Sequence, residues 1–166
     1  MSTFVSVGNA TQPFTRLLEA VCQLAPQLPQ PVFVQFGSAQ LFACPHCTGV
    51  AFMEMGEFAL RVDAAELLIL HAGAGSVIHA VRAGKIPVVM PRRADKGEHV
   101  DDHQIEFALE LEKTGKIIVA HDAATLAQAA VSALQRQRLS GKTVAGEPPL
   151  VGMVRDALAQ AMTLGR

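Results

Sequence analysis

The chain has 166 residues, room for one ordinary domain at roughly 100–200 residues each and little for a second. Half of it is hydrophobic and only 17% is charged, which excludes intrinsic disorder for most of its length. Lys and Arg number 14 against 15 Asp and Glu, a formal charge of -1, so the basic excess of a nucleic-acid binder is missing, and with neither Trp nor Tyr there is no stacking platform for single strands.

No run approaches the ~18 apolar residues of a membrane-spanning helix. The start, Met1-Ser2-Thr3-Phe4-Val5, lacks the basic and apolar regions of a secretory signal. Three cysteines, an odd number, do not make a disulfide framework. The expectation is a cytoplasmic protein whose membrane association, if any, comes through a surface or a partner.

Short β-rich runs alternate with helical periods. Thr3–Val7 predicts a strand, and Pro13 opens a helix with Phe14, Leu17, Leu18, Val21 and Leu24 on one face. Val32–Phe36 predicts a second strand and Val50–Met53 a third, followed by a short helix through Phe58–Ala64. Leu67–Leu70 is an apolar run between turn residues, the mark of a strand buried on both faces. Ser76–Ala83 predicts a helix closed by Gly84, and Pro87–Met90 the next strand. Asp101–Thr114 predicts a helix with Ile105, Ala108 and Leu109 at core spacing, then come a strand at Ile117–Val119 and a helix at Ala123–Gln137. Residues 1–137 thus form one α/β domain, 138–149 a polar Gly- and Pro-bearing linker, and 150–166 a C-terminal amphipathic helix with Val151, Val154, Leu158 and Met162 on one side.

Such alternation predicts a Rossmann-like parallel sheet with helices on both faces, whose ligands bind beyond the carboxyl ends of the strands. Four Gly-rich or polar segments fall there: 8–12, 37–40, 71–76 and 91–104. The most informative is His71-Ala72-Gly73-Ala74-Gly75-Ser76, between a buried strand and a helix. Its glycines let backbone N–H groups approach a ligand, and a helix N-terminus favours negative charge, so a phosphate or diphosphate is the expected guest. The plainer alternative is a tight turn with Ser76 capping the helix. A dinucleotide fingerprint is excluded because Ile78 stands where its third glycine belongs, and Ser140-Gly141-Lys142-Thr143 is no P-loop because Arg136 holds the position of its first glycine.

The segment from Pro91 to Gln104 carries Arg92 and Arg93, which would neutralise a phosphate or a sugar carboxylate, and Asp102 and Gln104, which would bond sugar hydroxyls. Asp101 followed by Gln104 also fits a helix capping box, so function and capping stay equally open. His99 and His103 with Glu98 or Asp102 make a weak metal candidate, since His99 precedes the helix. Cys44-Pro45-His46-Cys47 reads as a loop with reducible thiols, because a redox dithiol wants a helix N-terminus and a zinc knuckle would have only distant Cys22 to draw on. No metal and no cofactor are expected.

In chain order, Phe4-Val5-Ser6-Val7-Gly8, Pro13-Phe14-Thr15-Arg16-Leu17, His71 through Ser76, Gly84-Lys85-Ile86-Pro87, and Pro91-Arg92-Arg93 through Gly97-Glu98-His99-Val100-Asp101-Asp102-His103-Gln104 follow one family. From about Thr3 to Gln137 the chain resembles the glycosyltransferase family 28 C-terminal domain, more narrowly the small catalytic subunit of bacterial two-component exopolysaccharide glycosyltransferases. That subunit is similar to the cytosolic half of the dolichol-linked N-acetylglucosaminyltransferase.

The resemblance implies the nucleotide-sugar-binding half of a GT-B fold. His71, Gly73, Gly75 and Ser76 would face the donor diphosphate, Asp102 and Gln104 the donor sugar, and the Gly8 loop would lie in the cleft toward the acceptor. His79 stands where the family usually places a ribose-binding Glu, and Thr15 replaces the Asp of its Phe-Asp-Arg-Leu motif. It further implies a hexosyltransferase that moves a sugar from a UDP-sugar, with inversion, to a polyprenyl-diphosphate-linked saccharide. One GT-B half holds no complete enzyme, so the resemblance implies a membrane-associated acceptor-binding subunit that supplies the general base and holds this chain peripherally at the inner membrane. The competing expectation is a non-catalytic nucleotide-sugar-binding subunit that regulates or stabilises its partner. A nucleotide-sugar epimerase ranks last, since it needs a longer chain.

Overall fold

The computed structural model describes residues 2–40 and 42–141. Six strands, β1 (Thr3–Ser6), β2 (Val32–Gln35), β3 (Cys47–Val50), β4 (Leu67–His71), β5 (Val88–Met90) and β6 (Ile118–Val119), form one sheet in the order β3-β2-β1-β4-β5-β6. Every pairing is parallel. The order reverses between β1 and β4, so the loops leaving those strands part there and open a crevice.

Alternation along the strands assigns the helices to faces. Val5, Val34, Leu67 and Ile69 share a core with Leu17 and Val21 of α1 (Thr15–Leu24) and with Leu126 and Ala130 of α5 (Ala123–Ser140). Their neighbours Phe4, Leu68 and Leu70 point the other way, onto Phe58 and Val62 of α2 (Met55–Ala64) and Ala80 of α3 (Ala74–Arg82). α4 (His103–Glu112) covers the β5–β6 side through Phe107, Ala108 and Leu111. β4 is buried at all five positions, as its uninterrupted apolar run requires. The Rossmann-like expectation holds, with helices on both faces.

Three local expectations are corrected. The third strand lies at Cys47–Val50, three residues ahead of the predicted 50–53, because Gly49 and the preceding turn hide its β character. In α4 the core positions are Phe107, Ala108 and Leu111, whereas Leu109 is 44% exposed. α5 runs on to Ser140, three residues into the segment read as a linker, and is N-capped by a reciprocal Asp122–Thr125 box. The rest of that linker and the expected 150–166 helix lie outside the described residues. Among the described residues, no helix is long and apolar enough to cross a membrane.

Candidate functional site

A cleft of ≈ 440 Å³ opens at the carboxyl ends of β1, β2 and β4, lined by the Gly8–Asn9 loop, Gln35, the Met53–Met55 stretch with Phe58, and His71, Gly73, Gly75 and Ser76. The first turn of α3 forms its polar edge. The helix starts earlier than the sequence suggested: Gly73 is the N-cap, Ser76 is the third helical residue, and no side chain caps the end. The capping role considered for Ser76 therefore does not arise. An uncapped helix start holds unsatisfied N–H groups and the positive end of the dipole, and here both border the cleft.

The three glycines differ in what demands them. A Cβ on Gly8 (φ +75°) would lie 2.5 Å from Cε1 and Nε2 of His71, and one on Gly73 would meet the same ring closer still. These two glycines exist for the imidazole, which the β1–α1 loop and the start of α3 approach from two sides. A Cβ on Gly75 would meet nothing within 4 Å. A glycine inside a helix costs roughly 0.5–1 kcal/mol relative to alanine. No neighbour in the fold accounts for that cost at Gly75.

His71 is 9% exposed, and its Nδ1 is buried without a hydrogen-bond partner. Burial first, and the Arg92 cation second, push its pKa down to about 4, against a smaller upward pull from the Ser6 backbone. The ring is thus neutral at pH 7 and brings no charge to an anion. It shapes the cleft between two glycine loops.

The cleft also holds residues that sequence reasoning missed. Asn9 and Gln35 line it together, with Gln35 only 3% exposed at the end of an apolar strand. A polar residue closing an otherwise apolar strand is the signal that could have singled it out. Glu54, the N-cap of α2, brings a carboxylate beside the apolar wall of Met53, Met55 and Phe58.

The 91–104 segment is built differently from expectation. Arg92 is fully buried; its guanidinium donates to the carbonyls of Val7 (2.7 Å), Gln12 (2.8 Å) and Glu98 (2.9 Å) and lies over the Phe14 ring. It ties the β1–α1 loop to this segment, so direct neutralisation of a phosphate by Arg92 is corrected: its terminal nitrogens are spent on three backbone carbonyls, and its Nε is sealed in the interior without a partner. Arg93 is paired with Asp95 at the surface. Asp102 accepts the Ala94 N–H at 2.9 Å and Gln104 accepts the Arg92 N–H at 3.1 Å. None of these four residues lines the cleft, which leaves the Asp102 and Gln104 sugar contacts as expectations only. The proposed Asp101–Gln104 capping box is absent: Asp102 is the N-cap and makes no side-chain cap bond, Asp101 accepts the His103 N–H at 3.1 Å, and Gln104 turns to Arg92.

His79 also stays out of the cleft lining; it rests edge-on against Phe58 with ring centroids 5.8 Å apart. His99 and His103 both contact Asp101, at 3.1 and 3.2 Å, and no group of three or more potential metal ligands exists among the described residues. The reading of Cys44 as a reducible loop thiol is corrected: it forms a disulfide with Cys22 of α1, Cα atoms 5.7 Å apart, while Cys47 is free. Twenty-two residues separate the pair in sequence, and only the packing of α1 beside β2 brings them together.

Comparisons agree with this architecture. The profile of the glycosyltransferase family 28 C-terminal domain matches residues 2–147. The UDP-N-acetylglucosamine transferase subunit ALG13 of Yarrowia lipolytica is 35% identical over 134 residues, 74% of this chain. The chain spans 66% of that relative's length. Among solved structures, the glycotransferase of kitacinnamycin superimposes with a TM-score of 0.63 at 16% identity, over 96% of this chain and 40% of that one. MurG of Acinetobacter baumannii gives 0.52 at 23% identity, over 85% and 50%. The solution structure of ALG13 gives 0.53 at 19% identity, over 83% and 85%. At such identities the structures establish the fold, that of one half of a GT-B glycosyltransferase.

Proposed function

The chain belongs to the glycosyltransferase family 28 C-terminal domain family, and from that premise we propose that it is the donor-binding part of a two-subunit hexosyltransferase working with a UDP-sugar. The observation that carries this reading is the uncapped start of α3 facing the cleft, with Gly75 free of any internal neighbour. A diphosphate would take the N–H groups of that turn, and the wall of Met53, Met55 and Phe58 would take the nucleobase. Glu54 would accept from ribose or sugar hydroxyls. As the sugar leaves, charge grows on the diphosphate, and donors already fixed by the helix stabilise it without reorganising.

The name of the ALG13 relative, a UDP-N-acetylglucosamine transferase subunit, supports UDP-N-acetylglucosamine as donor and an assembly of more than one chain. We extend this to inverting transfer onto a polyprenyl-diphosphate-linked saccharide in bacterial exopolysaccharide synthesis. In this reading a membrane-associated partner holds the acceptor, supplies the general base and keeps the chain at the cytoplasmic side of the inner membrane. Calorimetry of the purified chain with UDP and UDP-N-acetylglucosamine should show binding. Turnover of a lipid-linked acceptor should appear only when the partner is added. Binding without turnover in the complex would leave a non-catalytic donor-binding subunit, and absence of binding would overturn the donor site itself.

A further inference from the structure

At the ends of β1 and β2 three side chains form a line of hydrogen bonds with a single sense. Gly8 N donates to Ser6 Oγ at 3.2 Å, Ser6 Oγ donates to Gln35 Oε1 at 2.7 Å, and Gln35 Nε2 donates to Asn9 Oδ1 at 2.9 Å. Ser6 is fully buried and Gln35 nearly so, whereas Asn9 is exposed on the cleft.

Chemistry enforces the sense. The Gly8 N–H can only donate, so the Ser6 oxygen accepts there and its proton must go elsewhere. Gln35 Oε1 is the acceptor it meets; with the amide reversed, Ser6 would accept from the NH2 as well and its own proton would lose that acceptor in a sealed interior. With the Gln35 carbonyl turned inward, its NH2 faces Asn9 and holds the Asn9 carbonyl in turn. With Oδ1 already accepting from Gln35, Asn9 keeps both N–H donors of its NH2 for the cleft, beside one remaining lone pair of its carbonyl.

We propose that Asn9 donates this NH2 to a phosphate oxygen of the bound nucleotide and that Gln35 is the positioning residue that keeps it a donor. The proposal rests on the nucleotide-sugar reading of the cleft. The phosphate is its target because Gly8 and Gly73 abut the same His71 ring, which brings the Asn9 loop to the start of α3, whereas the apolar wall comes from the Met53–Phe58 stretch.

The test is a double-mutant cycle read by titration of the full chain with UDP, inorganic diphosphate and uridine. Asn9→Ala and Gln35→Leu should each weaken UDP and diphosphate roughly 5- to 15-fold and leave uridine unchanged. The double variant should bind no worse than Asn9→Ala, because Gln35 acts through Asn9. Losses that add, or an Asn9→Ala protein with wild-type affinity, would overturn the assignment. Gln35→Met replaces Gln35→Leu should the latter unfold. Side-chain amide exchange in the unliganded wild type gives a reading independent of nucleotide: slow Gln35 NH2 protons and fast Asn9 NH2 protons are expected, and the reverse order would refute the sense of the line. If wild type binds no UDP but the amide protons behave as expected, the donor reading fails while the Gln35–Asn9 coupling stands.

Discussion

Arg16 and Glu98, 82 residues apart in the chain, meet in a two-pronged ion pair, with Nε on Oε1 and the second guanidinium nitrogen on Oε2, each at 2.8 Å. The same guanidinium reaches the carbonyls of His121 and Pro91, and Glu98 also accepts the Arg93 N–H. One side chain of α1 thereby fastens the loops after β5 and β6. Arg16→Ala would strand a carboxylate that is only 7% exposed. Removing one partner of a buried pair costs several kcal/mol, and the 20% exposure of Arg16 reduces this to about 2 kcal/mol. Thermal unfolding should fall by roughly 5–8 °C.

Gly75 separates folding from binding. Because its Cβ would meet nothing, Gly75→Ala should fold normally and gain about 0.5–1 kcal/mol of helix stability. The added methyl should nonetheless weaken UDP binding, and Gly75→Asp should abolish it by setting a negative charge against the diphosphate. Denaturation and calorimetry on the same samples check both halves, and a more stable protein with unchanged UDP affinity would mean the anion binds elsewhere.

His71 gives the fold a pH dependence of known sign. Its folded pKa, about 4, lies below the unfolded value near 6.5, so the unfolded chain binds the extra proton first as pH falls. The neutral ring's contribution is complete above pH 6.5 and is lost progressively toward pH 4. Between pH 7.5 and 4.5 this amounts to roughly 2–3 kcal/mol. Urea unfolding across that range should show the slope in wild type, and His71→Gln should flatten it by that amount.

Gln104 can be tested as a sugar contact against its backbone role. Its Oε1 holds the Arg92 N–H, so Gln104→Ala removes a loop tie worth about 1 kcal/mol in any case. A sugar contact through the remaining NH2 predicts a larger loss of affinity for UDP-N-acetylglucosamine than for UDP. Equal losses for the two ligands would reduce Gln104 to a brace.

The elements readable in sequence were those whose cause is local. β4 declares itself by an apolar run, α1 by its stripe of Leu17, Leu18 and Val21, and the turns at Gly84 and Gly115 by glycines that take φ of 73° and 72°. The glycine-bearing start of α3 was legible for the same reason: strand, turn and helix are contiguous. What was hidden depends on partners distant in sequence. Nothing near Arg92 in the chain tells that it is buried with its guanidinium on the carbonyls of Val7 and Gln12, so an arginine beside another arginine passes for a phosphate clamp. Cys22 and Cys44 pair only because α1 lies against β2, and Asn9 acquires its orientation from Gln35, on the neighbouring strand.

Withdrawal from contact does not make Arg92 electrically silent. Burial lowers its pKa to about 10, partly offset by Glu98, so the cation persists throughout the physiological range. With Arg16 and Glu98 it leaves one net positive charge directly beneath the Gly8 loop, shielded from mobile counterions. The crevice therefore receives a fixed positive contribution from below, less sensitive to ionic strength than surface lysines would give, and set against the Glu54 carboxylate of its own lining.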